Sequence, residues 1–174
     1  IEKFYNVLKT NLKFGVLGPR YLNVTNKSHK QSSIKKKIGK INAVNGSAIF
    51  INTEAFDSVN GFDENIFLFF EENDFCKRIV KNNHNIYQIN TAHVKHKKGI
   101  NSGVVKVKKE DFAKLEQLYN WHFQWSKYYY HQKHYGKVIA IIYFFPIIVR
   151  TMFRILTNFS TRNKNKTKKY VSRL

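Results

Sequence analysis

The segment GFDENIFLFFEENDFCKRI, residues 61–79, wraps five carboxylates (Asp63, Glu64, Glu71, Glu72 and Asp74) around an aromatic run, in a chain with 31 Lys and Arg against only 11 Asp and Glu. Apolar neighbours raise the cost of ionising a carboxylate. A chain that concentrates its few acids here must pack the aromatic run and still give the acids partners for their charge. The spacing meets that demand. From Asn73 to Lys81, Phe75, Cys76, Ile79 and Val80 share one helical face, with Lys77, Arg78 and Lys81 opposite. Glu71, Glu72 and Asp74 then fall at a helix start, where free backbone N–H groups favour negative charge. Two readings follow. In the structural one, Asp74 or Asn73 caps the helix and the glutamates complement its positive end. In the chemical one, a carboxylate kept ionised by the helix start, beside aromatics that exclude water, acts as a general base toward a hydroxyl.

The rest of the chain sets the frame. Its 174 residues suffice for one domain with a core, and 43% hydrophobic with 16% aromatic residues describes a folded body. The single Cys76 excludes a disulfide framework and suits a reducing compartment. Residue 1 is Ile and the only Met is Met152, so the chain is expected to be the C-terminal part of a longer protein. A net charge of +20 points to anionic surroundings: phosphate, nucleic acid or acidic lipid. No acid follows Glu116, whereas Lys and Arg continue to Arg173, so acids and basic tail form separate zones.

Along the chain, apolar spacing predicts a helix over Ile1–Leu12 and a short strand over Lys13–Leu17, stopped by Gly18-Pro19. Asn23–Lys40 reads as a solvated loop carrying Lys35-Lys36-Lys37. Ala43–Asn52 reads as a buried strand entered through a glycine bend, and Glu54–Val59 as a short helix or turn closed by Asn60-Gly61. Asn85–Ile89 and Thr91–Val94 read as two short strands, His96–Gly103 as a loop, and Glu110–Tyr135 as an aromatic helix. The uninterrupted apolar run Val138–Val149 has 12 residues including Pro146, short of the roughly 20 that cross a bilayer. Alternating strand and helix signals predict an α/β body over residues 1–110, followed by a basic, helical extension over 111–174.

Several of these pieces together resemble the family-two glycosyltransferases, inverting enzymes with a GT-A fold. The likeness is closest to the rhamnosyltransferase-like members that build bacterial surface polysaccharide. The matching stretches are Val16–Asn23 (VLGPRYLN), Gly46-Ser47-Ala48, Gly61-Phe62-Asp63-Glu64, Phe70–Arg78 (FEENDFCKR) and His96–Ser102 (HKKGINS). They cover roughly residues 12–105, and linked motifs in order are more specific than any one alone. Two positions depart from the pattern: Asn60 replaces the second glycine of GGFDE, and Glu71-Glu72 replaces a Glu-Asp pair.

The resemblance implies the C-terminal half of a GT-A domain, with the family's Asp-rich nucleotide motif upstream of residue 1 and no catalysis by this stretch alone. It makes Glu72 the general base, with Glu71 and Asp74 holding the acceptor and orienting the base. Asp63 and Glu64 either face the acceptor or shape their loop. Gly46 and Ser47 lie close to the donor sugar. By itself His96 reads as an ordinary polar residue; the resemblance makes it a ligand of Mg²⁺ or Mn²⁺ at the donor diphosphate, with Lys97 and Lys98 adding charge. His93 reads as structural. The implied donor is a nucleotide sugar such as dTDP-rhamnose, and the acceptor a hydroxyl of a lipid-linked or polysaccharide glycan.

Trp121–Lys137 (WHFQWSKYYYHQKHYGK) and the apolar run after it suit either an anionic membrane interface or a core helix under a solvated tail. The first option implies a cytoplasmic protein, peripheral at the inner face of the cell membrane. Two readings from other classes stand against glycosyl transfer. One is a basic nucleic-acid-binding module, against which the carboxylate cluster and the lack of helix-turn-helix, zinc-finger or RNP signatures argue; nucleic acid is therefore not expected as a partner. The other is an inactive membrane-surface domain.

Overall fold

Strand β1 (Val16–Tyr21) is buried along almost its whole length, which marks a strand covered on both faces. Its first two residues show how. Val16 enters a cluster with Ala55, Phe75, Cys76, Ile79 and Ile86, while Leu17 enters another with Val7, Ile89 and Ala92. Successive side chains on a strand point to opposite faces, so the two clusters lie on opposite sides of one sheet. The computed structural model describes residues 2–10, 12–22, 36–95, 109–160 and 171.

These residues form two compact units: Ile1–Glu64 with Glu71–Val104, and Asn65–Phe70 with Val105–Leu174. The first is a mixed four-stranded sheet in the order β2-β4-β1-β3, with β2 at Ile38–Ile41, β3 at Phe50–Ile51 and β4 at Ile86–Val94. Strand β4 runs parallel to β1, and β2 and β3 are antiparallel to their neighbours. Helix α1 (Glu2–Leu8) contributes Val7 to one face; α2 (Thr53–Asp57) and α3 (Glu71–Lys81) cover the other. The described architecture is therefore α/β with a mixed sheet.

Several elements differ from the sequence expectation. Strand β1 continues through Gly18-Pro19 to Tyr21. β3 pairs only with Val16 and Leu17, so Pro19 lies where that side of β1 is already an edge, and the ladder to β4 shifts register between Pro19 and Arg20. The expected long strand over 43–52 shrinks to Phe50–Ile51, because the side chain of Asn45 turns the chain instead. The two expected strands after Asn85 are one, β4, with its irregularity opposite Pro19. Helix α3 starts at Glu71, two residues earlier than its apolar face suggests, and Val80 is exposed.

The second unit contains α4 (Lys109–Tyr135) and α5 (Lys137–Ser160), joined by Gly136 at φ +92°. That left-handed value suits glycine. Ring pairs Tyr128–Phe144 at 5.5 Å and His131–Tyr143 at 4.4 Å lie nearly symmetrically about Gly136, so α5 turns back along α4. Helix α5 runs through Pro146 and past Arg150, and Lys137–Thr157, 21 residues, is long and apolar enough to cross a membrane by length and composition. The 12-residue count from sequence stopped at a charge that the helix itself does not stop at.

Residues Asn65–Phe70 belong to this second unit, although the sequence placed them inside the first. Ser126 Oγ donates to Leu68 O at 2.7 Å. Phe69 packs on Tyr119 and Phe123, and Phe70 on Phe123 and Tyr130, with ring centroids 5.4–5.8 Å apart. Phe69 and Phe70 hold φ of 65° and 68°, a left-handed conformation that is costly for bulky residues. Their ring contacts with α4 hold them there.

Candidate active site

Helix α3 carries its acids in its first turn, and they do not share a face. Residues two apart on a helix point about 200° from one another. Asp74 turns inward: it is fully buried, and its Oδ2 accepts from Arg78 Nε–H at 2.7 Å. Arg78 Nη1 donates to Val59 O at 2.6 Å and Gly61 O at 2.7 Å. Asp74 therefore anchors the arginine that ties the Gly61 turn to α3. A side chain with no exposed surface does not meet an acceptor, which removes the role the resemblance implied for it. Asp63, half-buried, and Glu64, exposed, follow that anchored turn. Phe62 beside them packs on Phe75 and Phe56 with centroids 4.6 and 6.0 Å apart. The GFDE stretch thus serves at least to shape its loop.

Glu72 faces the other way, onto the turn at residues 45–47. Asn45 Oδ1 accepts from Ser47 N–H at 3.0 Å and from Ser47 Oγ–H at 2.5 Å, the local side-chain bonding that makes asparagine turn a chain. Gly46, in the middle, is seated on the glutamate: a Cβ there would stand 3.6–3.9 Å from Glu72 Cβ, Cδ and Cγ. The nearby backbone N–H groups of Gly46 and of Glu72 itself favour the charged form of its carboxyl. Burial nevertheless dominates and pushes the Glu72 carboxyl above its ordinary 4.5; the charge of Glu71 pushes the same way, and the N–H donors only partly offset them. The sequence expectation that the helix start would keep this group readily ionised is corrected in sign. A carboxylate raised in this way is a stronger proton acceptor once ionised.

Two further side chains lie beside Glu72. Tyr21, buried at the end of β1, places its hydroxyl 2.9 Å from Ser47 Oγ. Its own pKa is raised above 10.0, first by burial and also by the charge of Glu72. Cys76 lies one turn along α3, where burial and Glu72 push the thiol up to about 11 despite a bond from the Val44 backbone; it stays a neutral thiol at physiological pH. Sequence reasoning missed Tyr21 because its strand was expected to end at Leu17. Glu71, half-buried, has an Oε2 that is buried and without a hydrogen-bond partner among the described residues.

Thus Glu72, Glu71, Gly46 and Ser47 come together in the first unit, Asp74 does not join them, and His96, Lys97 and Lys98 lie outside the described residues. His93 is exposed on β4. Among the described residues no three His, Cys, Asp or Glu side chains converge on a point that would hold a cation. The adjacent glutamates alone do not make a Mg²⁺ or Mn²⁺ site. Comparison of the chain with protein-family models, with characterised proteins and with solved structures finds no match.

Proposed function

We propose that this chain carries the acceptor side of an inverting glycosyl-transfer site in which Glu72 is the general base. The observation that carries the reading is the Glu72 carboxylate, lodged against Gly46 and raised by burial. The likeness of the surrounding motifs to family-two glycosyltransferases supplies the reaction class. In the proposed step Glu72 takes the proton of an acceptor hydroxyl. The acceptor oxygen bonds to the anomeric carbon from the face opposite the leaving group. The bond from that carbon to the diphosphate oxygen breaks, and its electron pair leaves with the nucleotide diphosphate. Gly46 and Ser47 flank the base on a turn with no bulky side chain, where a sugar ring can approach closely.

The acceptor we propose is a glycan hydroxyl carried on a lipid, with an anionic membrane surface as partner. In support, α5 leaves apolar side chains outward and no acid follows Glu116, a combination that favours acidic lipid. The donor class is a nucleotide sugar, with dTDP-rhamnose the first to try.

The test is Glu72→Gln in the complete gene product that contains this chain, assayed against a panel of dTDP- and UDP-sugars for nucleotide diphosphate release. Loss of a general base lowers turnover by about 10²–10⁴-fold, with donor affinity unchanged. Full turnover in Glu72→Gln excludes it as the base.

A further inference from the structure

Beside the 45–47 turn lies a polar group that the transfer chemistry itself does not use, the hydroxyl of the buried Tyr21. Proton counting fixes its direction. Ser47 Oγ has one proton and donates it to Asn45 Oδ1 at 2.5 Å. Ser47 Oγ is therefore the acceptor in the 2.9 Å contact with Tyr21, and Tyr21 O–H the donor. The phenolic oxygen also lies 3.4 Å from Asn45 O, the carbonyl that accepts from Ala48 N–H at 3.4 Å. The phenolic proton thus holds the Ser47 limb of the 45–47 turn, and Gly46 beside it is seated on Glu72, where a Cβ would stand 3.6–3.9 Å from the glutamate side chain.

We propose, resting on the reading of Glu72 as base, that Tyr21 is a positioning residue. Its hydroxyl, acting through Ser47 and so on the Ser47–Asn45 bonds, holds the turn so that Gly46 stays seated against Glu72 and the base keeps one orientation. Tyr21 touches no substrate in this role. The phenyl ring serves a separate purpose, filling the end of β1, so removing the hydroxyl alone separates positioning from packing.

The electrostatics make the proposal measurable. The titratable groups acting on Glu72 and its turn are Glu71, Tyr21 and Cys76. Tyr21 stays protonated to above 10.0 and Cys76 to about 11, so Tyr21→Phe changes no charge beside Glu72 in the working pH range. Any movement of the Glu72 titration in that variant reports the loss of the Gly46 N–H, a donor that favours the charged form.

The experiment follows the Glu72 side-chain carboxyl by carbon-13 NMR through a pH titration in the parent chain, Tyr21→Phe and Ser47→Ala. Both variants are expected to titrate higher than the parent. In the complete gene product the acidic limb of the pH profile of kcat/KM moves up in Tyr21→Phe, while its donor affinity holds. Ser47 is exposed, so Ser47→Ala keeps the test alive if Tyr21→Phe fails to fold. An unchanged Glu72 titration in a folded variant overturns the positioning role, whatever Glu72→Gln does to transfer. Full transfer by Glu72→Gln, together with a shifted titration in Tyr21→Phe, instead removes the base reading and leaves the clamp on the carboxylate standing.

Discussion

Glu72 is kept in place against its own preference for water, and that has a consequence apart from catalysis. Its pKa in the folded chain lies above the ordinary 4.5 because burial outweighs the two N–H donors. The folded state therefore binds the Glu72 proton more tightly than the unfolded state, and stability falls as pH rises from that ordinary value through the folded one. The contribution is fully favourable below about pH 4, where both states are protonated. Glu72→Gln removes the charge and keeps the shape, so its melting temperature is expected to exceed the parent's near neutral pH and to converge with it below about pH 4. Thermal melts by circular dichroism across that range check it; a variant less stable than the parent at neutral pH contradicts the burial argument. At this scale the sequence was legible in residue type and silent on direction. It placed Glu71, Glu72 and Asp74 at a helix start, as found. Which of them turns inward to Arg78 and which outward to Gly46 depends on what β1 and α2 bring to each face of α3, and that is a matter of packing. Tyr21 was hidden for the same reason: its burial depends on β1 outlasting Pro19.

Elements with a strong period were readable, and elements decided by a single side-chain bond were not. Helices α3, α4 and α5 all appear near their expected places because apolar spacing survives any tertiary arrangement. The stretch 43–49 was misread because Asn45 offers its own oxygen to Ser47, a competitor to the sheet ladder that composition does not reveal. The turn closing α2 was readable, and its energetics are now explicit. Asn52 caps α2 by accepting from Ala55 N–H at 3.1 Å, and Gly61 N–H returns to Phe56 O at 3.0 Å. Gly61 holds φ +67°, and a Cβ there would stand 2.7 Å from Phe56 Cζ. A left-handed non-glycine residue costs about 1–2 kcal/mol, and here the aromatic triad Phe56–Phe62–Phe75 would also have to shift. Gly61→Ala is thus expected to cost about 2 kcal/mol or more, read as a lower urea midpoint with an unchanged slope. Because Arg78 holds both the Gly61 carbonyl and Asp74, this loss reaches the helix that carries Glu72.

For the molecule as a whole, the question is what its charge and its apolar surface do together. In a helix of a water-soluble bundle the apolar face is turned inward. In α5 the outward residues Val138, Ile142, Phe145, Phe153 and Leu156 are each 63–70% exposed. Their spacing places them within about 40° of a common direction on the helix wheel. Ala140, Phe144 and Thr151, which are buried, lie on the other side; Arg150 falls toward the flank, and half-buried Arg154 nearer the buried side. On the proposed membrane reading this geometry would bring the apolar stripe and Arg150 beside it to a bilayer surface together, the apolar side chains in the acyl boundary and the guanidinium at the phosphates. Each large apolar side chain so buried contributes about 1.5–3 kcal/mol, and each basic residue near an anionic surface about 1 kcal/mol. The chain is therefore expected to sediment with vesicles containing phosphatidylserine and far less with pure phosphatidylcholine, and salt should weaken the binding. Ile142→Asp with Phe145→Asp should reduce binding by about 10²-fold or more on either lipid. Arg150→Glu with Arg154→Glu should act mainly on the anionic vesicles, because it removes the electrostatic part and leaves the apolar stripe. If the aspartate pair binds phosphatidylserine vesicles as well as the parent does, α5 is not the contact surface and the proposed lipid-linked acceptor loses its structural support.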